Sequence, residues 1–227
     1  MRFIMNRFGN ILTYQELLTV LPGENNEPLI SLNSVCPDII CKYEKTDMIP
    51  LTGNDIYVRK TVAEKLCRVQ ERIKKISSEF QLRVVYGYRH PNIQKKYFNK
   101  KKQELLEKEN ISDENIDAVV HNFIAVPEVA GHPTGGALDL TIVKNGKMVD
   151  MGTEIADYSD EEKIKTYSIN ITSEQMKNRM ILHDAMLSEK FAPFYGEWWH
   201  FSHGDREWAY FYGEEKSIYS PIFFEKK

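Results

Sequence analysis

Cysteine is scarce in this chain, with three among 227 residues: Cys36, Cys41 and Cys67. Three thiols cannot all pair, and none stand in the CxxC spacing of a zinc or redox motif. Reduced structural thiols and a cytoplasmic location are therefore expected. No stretch approaches the roughly eighteen apolar residues of a membrane span, so no membrane insertion is expected. The opening MRFIMNRFGNILTYQELL has basic residues but neither an uninterrupted apolar core nor a small-residue cleavage site, and no secretory signal is expected. Charge of one sign is lacking too. Thirty Lys and Arg face 33 Asp and Glu, a formal net charge of -3, which gives no basic bias toward nucleic acid. There is no internal repeat and no low-complexity linker; PGENNEP at 22–28 reads as a loop.

What is present is an ordinary globular composition, 42% hydrophobic and 28% charged, in a chain long enough to bury one substantial core. Residues 36–227 are expected to form a single domain, with 1–35 as an N-terminal extension packed on it. Val62, Leu66, Val69, Ile73 and Ile76 recur at spacings of three and four, which predicts an amphipathic helix. Residues 82–86 form a β-rich run that breaks at Gly87 and again at Pro91. The lysine-rich block 92–108 reads as a helix with a solvated face. Residues 137–143 read as a strand, followed by the hairpin turn Asn145-Gly146 and a second short strand. A helix is predicted over 173–189, with Ser173 as N-cap and Met176, Met180, Leu182 and Leu187 inward. A last strand is predicted over 195–202. The order of elements, with a hairpin in the middle, indicates an α+β fold: a central antiparallel sheet flanked by helices.

The chemistry concentrates in a few residues. Asp139 lies inside the apolar strand ALDLT, where alternation sends Leu138 and Leu140 to one face and Asp139 to the other. A buried carboxylate needs a partner, and a metal cation is one good candidate. His132, in a Gly/Pro-rich loop, and His200, in EWWHFSH, would complete with Asp139 a three-ligand zinc site open at its fourth position. Glu197 would then serve as general base and Arg89 as the cation for a developing oxyanion. Strict alternation in a strand over 195–202 sets Glu197 and His200 on opposite faces, so a strand end or bulge is needed to bring them to one cleft. His121, His183 and His203 are assigned structural or surface roles. Trp198 and Trp199 are assigned to packing, and Gly135 and Gly136 to close backbone passage.

The motifs YGYRHP, GHPTGGALDLTI, DMGT and GEWWHF occur in the order of those of the zinc D-alanyl-D-alanine dipeptidases of the vancomycin-resistance type, relatives of the zinc D,D-carboxypeptidases. This chain resembles that family over about residues 41–201. The resemblance implies one zinc ion per chain on His132, Asp139 and His200, Glu197 as the catalytic glutamate and Arg89 as the transition-state arginine. Through CKYEKTDMIPLTG it also implies Tyr43 as a substrate contact, and a small peptide as the substrate. Two departures stand out. Gly131, Pro133 and Thr134 replace the Ser and Arg common around the first histidine, and a substrate-facing aspartate falls on Ala156, with Asp157 beside it. Both departures bear on the dipeptide specificity more than on zinc hydrolysis, and the resemblance implies hydrolysis of D-alanyl-D-alanine or a similar short D-amino-acid dipeptide. D,D-carboxypeptidase action on longer peptides and a non-catalytic zinc-containing binding module are the alternatives.

Overall fold

Val62, Leu66, Val69 and Ile73 are fully buried on one face of a 17-residue helix, and that helix lies on a sheet. The structure is a computed structural model that describes residues 9–108 and 116–226. In chain order the elements are α1 (Tyr14–Leu18), β1 (Leu29–Ser31), α2 (Leu32–Val35), β2 (Ile40–Cys41), α3 (Ile49–Thr52), β3 (Tyr57–Arg59), α4 (Lys60–Ile76) and β4 (Phe80–Tyr86). They continue with α5 (Pro91–Lys108), α6 (Ile116–His121), a single 3-10 turn (His132–Thr134), β5 (Ala137–Lys144), β6 (Lys147–Met148), α7 (Ser173–Ser188), β7 (Ala192–Pro193), β8 (His200–Ser202) and α8 (Arg206–Tyr212). Among the described residues no helix is long and apolar enough to cross a membrane.

The main sheet runs β2-β4-β5-β8-β7, with β6 folded back on β5 through the expected Asn145-Gly146 hairpin. The fold is α+β, one domain with a sheet flanked by helices. Every neighbouring pair is antiparallel except β2 and β4, which run parallel at one edge. Leu82, Val84, Leu138, Leu140 and Ile142 from β4 and β5 join Leu66, Val69 and Ile73 of α4 and Leu182, Ala185 and Met186 of α7 in one buried cluster. Each such fully buried Leu, Ile or Met side chain contributes about 1.5–3 kcal/mol relative to exposure. This layer is what holds the sheet rigid. Leu138 and Leu140 are committed to it, and alternation turns Asp139 to the opposite face.

Three local expectations are corrected. The N-cap of α7 is Thr172, one residue earlier than Ser173. Thr172 and Gln175 form a reciprocal capping box, the Thr hydroxyl accepting from the Gln175 amide and the Gln side chain accepting from the Thr172 amide. The inward face of α7 is Arg179, Leu182, His183, Ala185 and Met186, while Met176, Met180 and Leu187 are half-buried. The long strand over 195–202 shrinks to His200–Ser202. The segment before it is a tight connection from β7, closed by bonds from the Phe194 amide to the His200 carbonyl (3.0 Å), the Glu197 amide to the Phe194 carbonyl (3.1 Å) and the His200 amide to the Glu197 carbonyl (3.1 Å). Gly196 permits this turn, since a Cβ there would stand 2.7 Å from the Phe194 ring.

The cysteines also differ from expectation. Cys36 and Cys67 form a disulfide with Cα atoms 5.8 Å apart, because α2 packs on α4 and brings together residues 31 apart in sequence. Cys41 alone is a free thiol, half-buried, its pKa pushed up to about 12, first by burial and then by the charge of Asp55.

Of the segment 1–35, residues 1–8 lie outside the described residues. Residues 9–35 lie against the rest: β1 pairs with β3, and Glu24 forms a 2.8 Å ion pair with the buried Arg59. Arg59 also donates to the Thr134 carbonyl at 2.7 Å. The N-terminal segment thereby reaches the loop that carries His132.

Candidate active site

The register of the sheet assembles the site. Across β4 and β5 Tyr86 pairs with Asp139, after an irregularity between Val84 and Tyr86, and across β5 and β8 Asp139 pairs with His200. Directly opposed residues in antiparallel strands share a face, so Tyr86, Asp139 and His200 stand in a row. His132 enters from the 3-10 turn just before β5. Gly135, at φ +73°, lets the chain leave that turn and enter the strand.

His132 Nδ1 lies 2.8 Å from the Gly87 carbonyl oxygen, which can only accept, so that nitrogen carries the proton and Nε2 faces Asp139 at 3.4 Å. His200 Nδ1 lies 3.0 Å from the other Asp139 oxygen. Each of the three residues offers one ligand atom, all within 4.8 Å of one another. Two imidazole nitrogens and one carboxylate oxygen, on side chains buried or nearly so, are the donor set of a three-ligand zinc site. The charges agree. For Asp139, burial raises the pKa but is outweighed by His132 and His200, so the carboxyl is held well below the usual carboxylate range. His132 is held below the usual imidazole range, chiefly by burial. His200 is held well above it despite burial, by Asp139 and Glu207.

Glu197 sits in the turn immediately before His200, so strand alternation no longer separates the two. Burial lifts its pKa to about 7; Asp139 adds to that rise, while His200, Trp199 and Arg89 pull it back. Trp199 Nε1 has no hydrogen bond, yet this indole N–H is near enough to favour the ionised carboxylate. Trp198 and Trp199 are both buried, and Trp198 donates to Thr153 Oγ1 at 2.9 Å, so the two rings fix the turn.

Arg89 follows β4 on the same side. Its guanidinium lies over the Tyr86 ring at 4.7 Å and the Tyr97 ring at 5.5 Å, and its Nη1 donates to Gln94 at 2.8 Å. Burial opposes its charge, but Tyr86, Asp139 and Tyr158 more than compensate. Its Nε is buried with no hydrogen-bond partner.

Tyr43 stands one ring further back. Its hydroxyl donates to the Asp55 carbonyl at 3.1 Å, and its ring meets Tyr86 edge-on at 5.6 Å. Tyr86 in turn meets His132 at 5.4 Å. Of the other histidines, His121 accepts from the Val126 amide and His203 lies against Phe191 and Trp208, both within the packing. His183 packs between Tyr167 and Tyr195.

Two residues escaped the sequence reading. Tyr158, 46% exposed, sits edge-on to Trp199 at 5.6 Å. Burial of its hydroxyl end and the charges of Glu197 and Asp139 hold its pKa well above the ordinary value. It lies two residues after Ala156, which adopts φ +58°, a conformation that costs a non-glycine residue on the order of 1 kcal/mol. Glu207 of α8 lies 3.6 Å from His200 Nε2. A loop tyrosine and a short-helix glutamate carry no periodic signal.

An α+β fold carrying a His–Asp–His cluster, with a glutamate and an arginine on the same face, defines a metallopeptidase. A family model described as D-ala-D-ala dipeptidase (Peptidase_M15) matches residues 30–218, and the chain belongs to that family. A D-alanyl-D-alanine dipeptidase of Synechocystis sp. is 28% identical over 196 residues, covering 76% of this chain and 79% of that relative. Among solved structures, the LdcB LD-carboxypeptidase is similar at TM-score 0.49 and 20% identity, over 85% of this chain and 81% of its own. The vancomycin-resistance D,D-pentapeptidase VanY, solved in complex with Zn(II), is similar at TM-score 0.42 and 16% identity, over 72% and 84%.

Proposed function

We propose that this chain hydrolyses the peptide bond of D-alanyl-D-alanine, or of a similarly short D-amino-acid dipeptide, with one zinc ion on His132, Asp139 and His200. The observation that carries the reading is the cross-strand pair Asp139–His200 with Glu197 in the turn just before it. Zinc in such a site supplies a Lewis acid for the scissile carbonyl and for the attacking water. The protein does the rest. Glu197, its pKa near neutrality, accepts the proton of the attacking water and delivers it to the leaving amine. Arg89, held charged and with a free Nε, stabilises the negative charge that develops on the carbonyl oxygen. Tyr43, through Tyr86, forms the wall against which the substrate is placed. Residues 9–35 act as an extension that braces Arg59 and the His132 loop.

A second reading has its own support. A dipeptidase must hold the substrate ammonium close to the metal, and Asp157 is engaged by the Ser159 amide at 2.9 Å, while Ala156 offers no charge. This favours D,D-carboxypeptidase action on longer peptides, whose amino end lies further away. The deciding experiment measures zinc content and cleavage of D-Ala-D-Ala beside a D-Ala-D-Ala-terminated pentapeptide, for wild type and Glu197→Ala. Faster turnover of the pentapeptide establishes the second reading, and zinc-loaded wild type inactive on both substrates refutes each.

A further inference from the structure

The two histidines of the cluster are backed differently. His132 gives its second nitrogen to the neutral carbonyl of Gly87. His200 presents Nδ1 to Asp139 and Nε2 to a carboxylate, Glu207 Oε2, at 3.6 Å. The Glu207 side chain is only 13% exposed, and its other oxygen is buried with no hydrogen-bond partner. A carboxylate so enclosed is costly unless a cation or a strong donor faces it, and within ion-pair distance among the described residues His200 is what faces it. The first turn of α8 adds a weaker contribution, because the helix N-terminus favours negative charge. α8 is held in that position by Asp205, whose carboxylate caps it through the Trp208 amide at 2.8 Å and accepts from Ser202 of β8 at 2.8 Å. The strand that carries His200 and the helix that carries Glu207 are therefore fastened to each other.

We propose that Glu207 is a positioning residue for the metal centre: it accepts the Nε2 proton of His200, fixes the tautomer that leaves Nδ1 free for zinc, and makes that nitrogen the stronger donor of the two. This rests on the zinc reading above. A carboxylate behind a ligating histidine raises the basicity of the ligand, and its removal commonly weakens metal binding by about 10–100-fold.

The test compares zinc dissociation constants, by chelator competition, for wild type and Glu207→Gln, together with the absorption spectra of the two proteins loaded with cobalt(II). The expected result is a 10–100-fold weaker zinc affinity and a shifted cobalt ligand-field spectrum in the variant, with unchanged circular dichroism of the metal-free protein. Unchanged affinity and spectrum overturn the proposal while leaving the zinc reading intact. Wild type that fails to bind zinc overturns the zinc reading itself. If Glu207→Gln does not fold, nitrogen-15 NMR of zinc-loaded wild type decides: a protonated Nε2 on His200 is expected, and a protonated Nδ1 refutes the role.

Discussion

The rings of His132 and His200 meet nearly at right angles, with centroids 4.9 Å apart and an interplanar angle of 80°, and each turns one nitrogen to a different oxygen of Asp139. Two imidazoles converging on one carboxylate leave a space that a single cation fills. Wild type is expected to hold one zinc per chain, and His132→Ala or His200→Ala to lose it under the same dialysis. Binding at a hundredfold excess over Kd stabilises a fold by about 2.7 kcal/mol, so chelation should lower the Tm of wild type and leave that of His200→Ala unmoved. Metal analysis and calorimetry check both, and full zinc in either variant would place the metal elsewhere.

How much of this site can be read in the sequence depends on which force sets each residue. Asp139 is legible because an acid inside an apolar strand contradicts its neighbours, and α4 is legible because a period of three to four survives any context. The turn at residues 194–199 is not: Tyr, Trp and Phe favour strands individually, and Gly196 is the one local sign that the chain bends. The Cys36–Cys67 bond, the parallel β2–β4 edge and the approach of Glu207 to His200 depend on tertiary packing between distant segments. The resemblance to known motifs named the candidate reactive residues, but it carried no information about the residues behind them.

Removing the carboxylate at Glu197 separates catalysis from stability. Glu197→Gln should retain zinc and lose roughly 10²–10⁴-fold in kcat, the usual worth of a general base. It should also stabilise the metal-free fold above neutral pH. The unfolded carboxyl gives up its proton near its ordinary 4.5 and the folded one near 7, so the folded state loses stability as pH rises through that window. The gain in the variant should be on the order of 1–2 kcal/mol, from 1.36 kcal/mol per unit discounted for partial exposure. Denaturant melts at pH 5 and pH 8 measure it, and a gain at pH 5 equal to that at pH 8 would contradict the argument.

On the proposed mechanism the same ionisation governs the rate. A general base works deprotonated, so kcat/KM should fall as pH drops below about 7. A bound dication lowers that pKa further, which places the acidic limb at or below neutrality. A limb centred well above pH 7 would assign the base to another group.

Arg89 is held by Gln94 and by the faces of Tyr86 and Tyr97, so its position does not depend on substrate. Arg89→Gln should lower kcat by roughly 10²–10³-fold, the cost of one lost oxyanion donor, with a smaller change in KM. Arg89→Lys keeps the charge but not the planar fork and should recover only part of the loss. A change confined to KM would make Arg89 a ground-state anchor for the peptide.

The disulfide makes a prediction about the whole molecule. Cys36 is buried between α2 and α4, where its partner Cys67 lies, and the bond closes a loop across the region where the N-terminal segment joins the domain. Loop closure of this length stabilises a fold by roughly 2–4 kcal/mol, chiefly by restricting the unfolded chain. Reduction should therefore lower the Tm without disturbing the zinc site, which draws on none of these sulfurs. Cys41, with a pKa pushed up to about 12, should resist alkylation in the native protein. Alkylation in denaturant without reductant, followed by mass spectrometry, should find one modified cysteine per chain. Three modified cysteines would show the pair to be reduced.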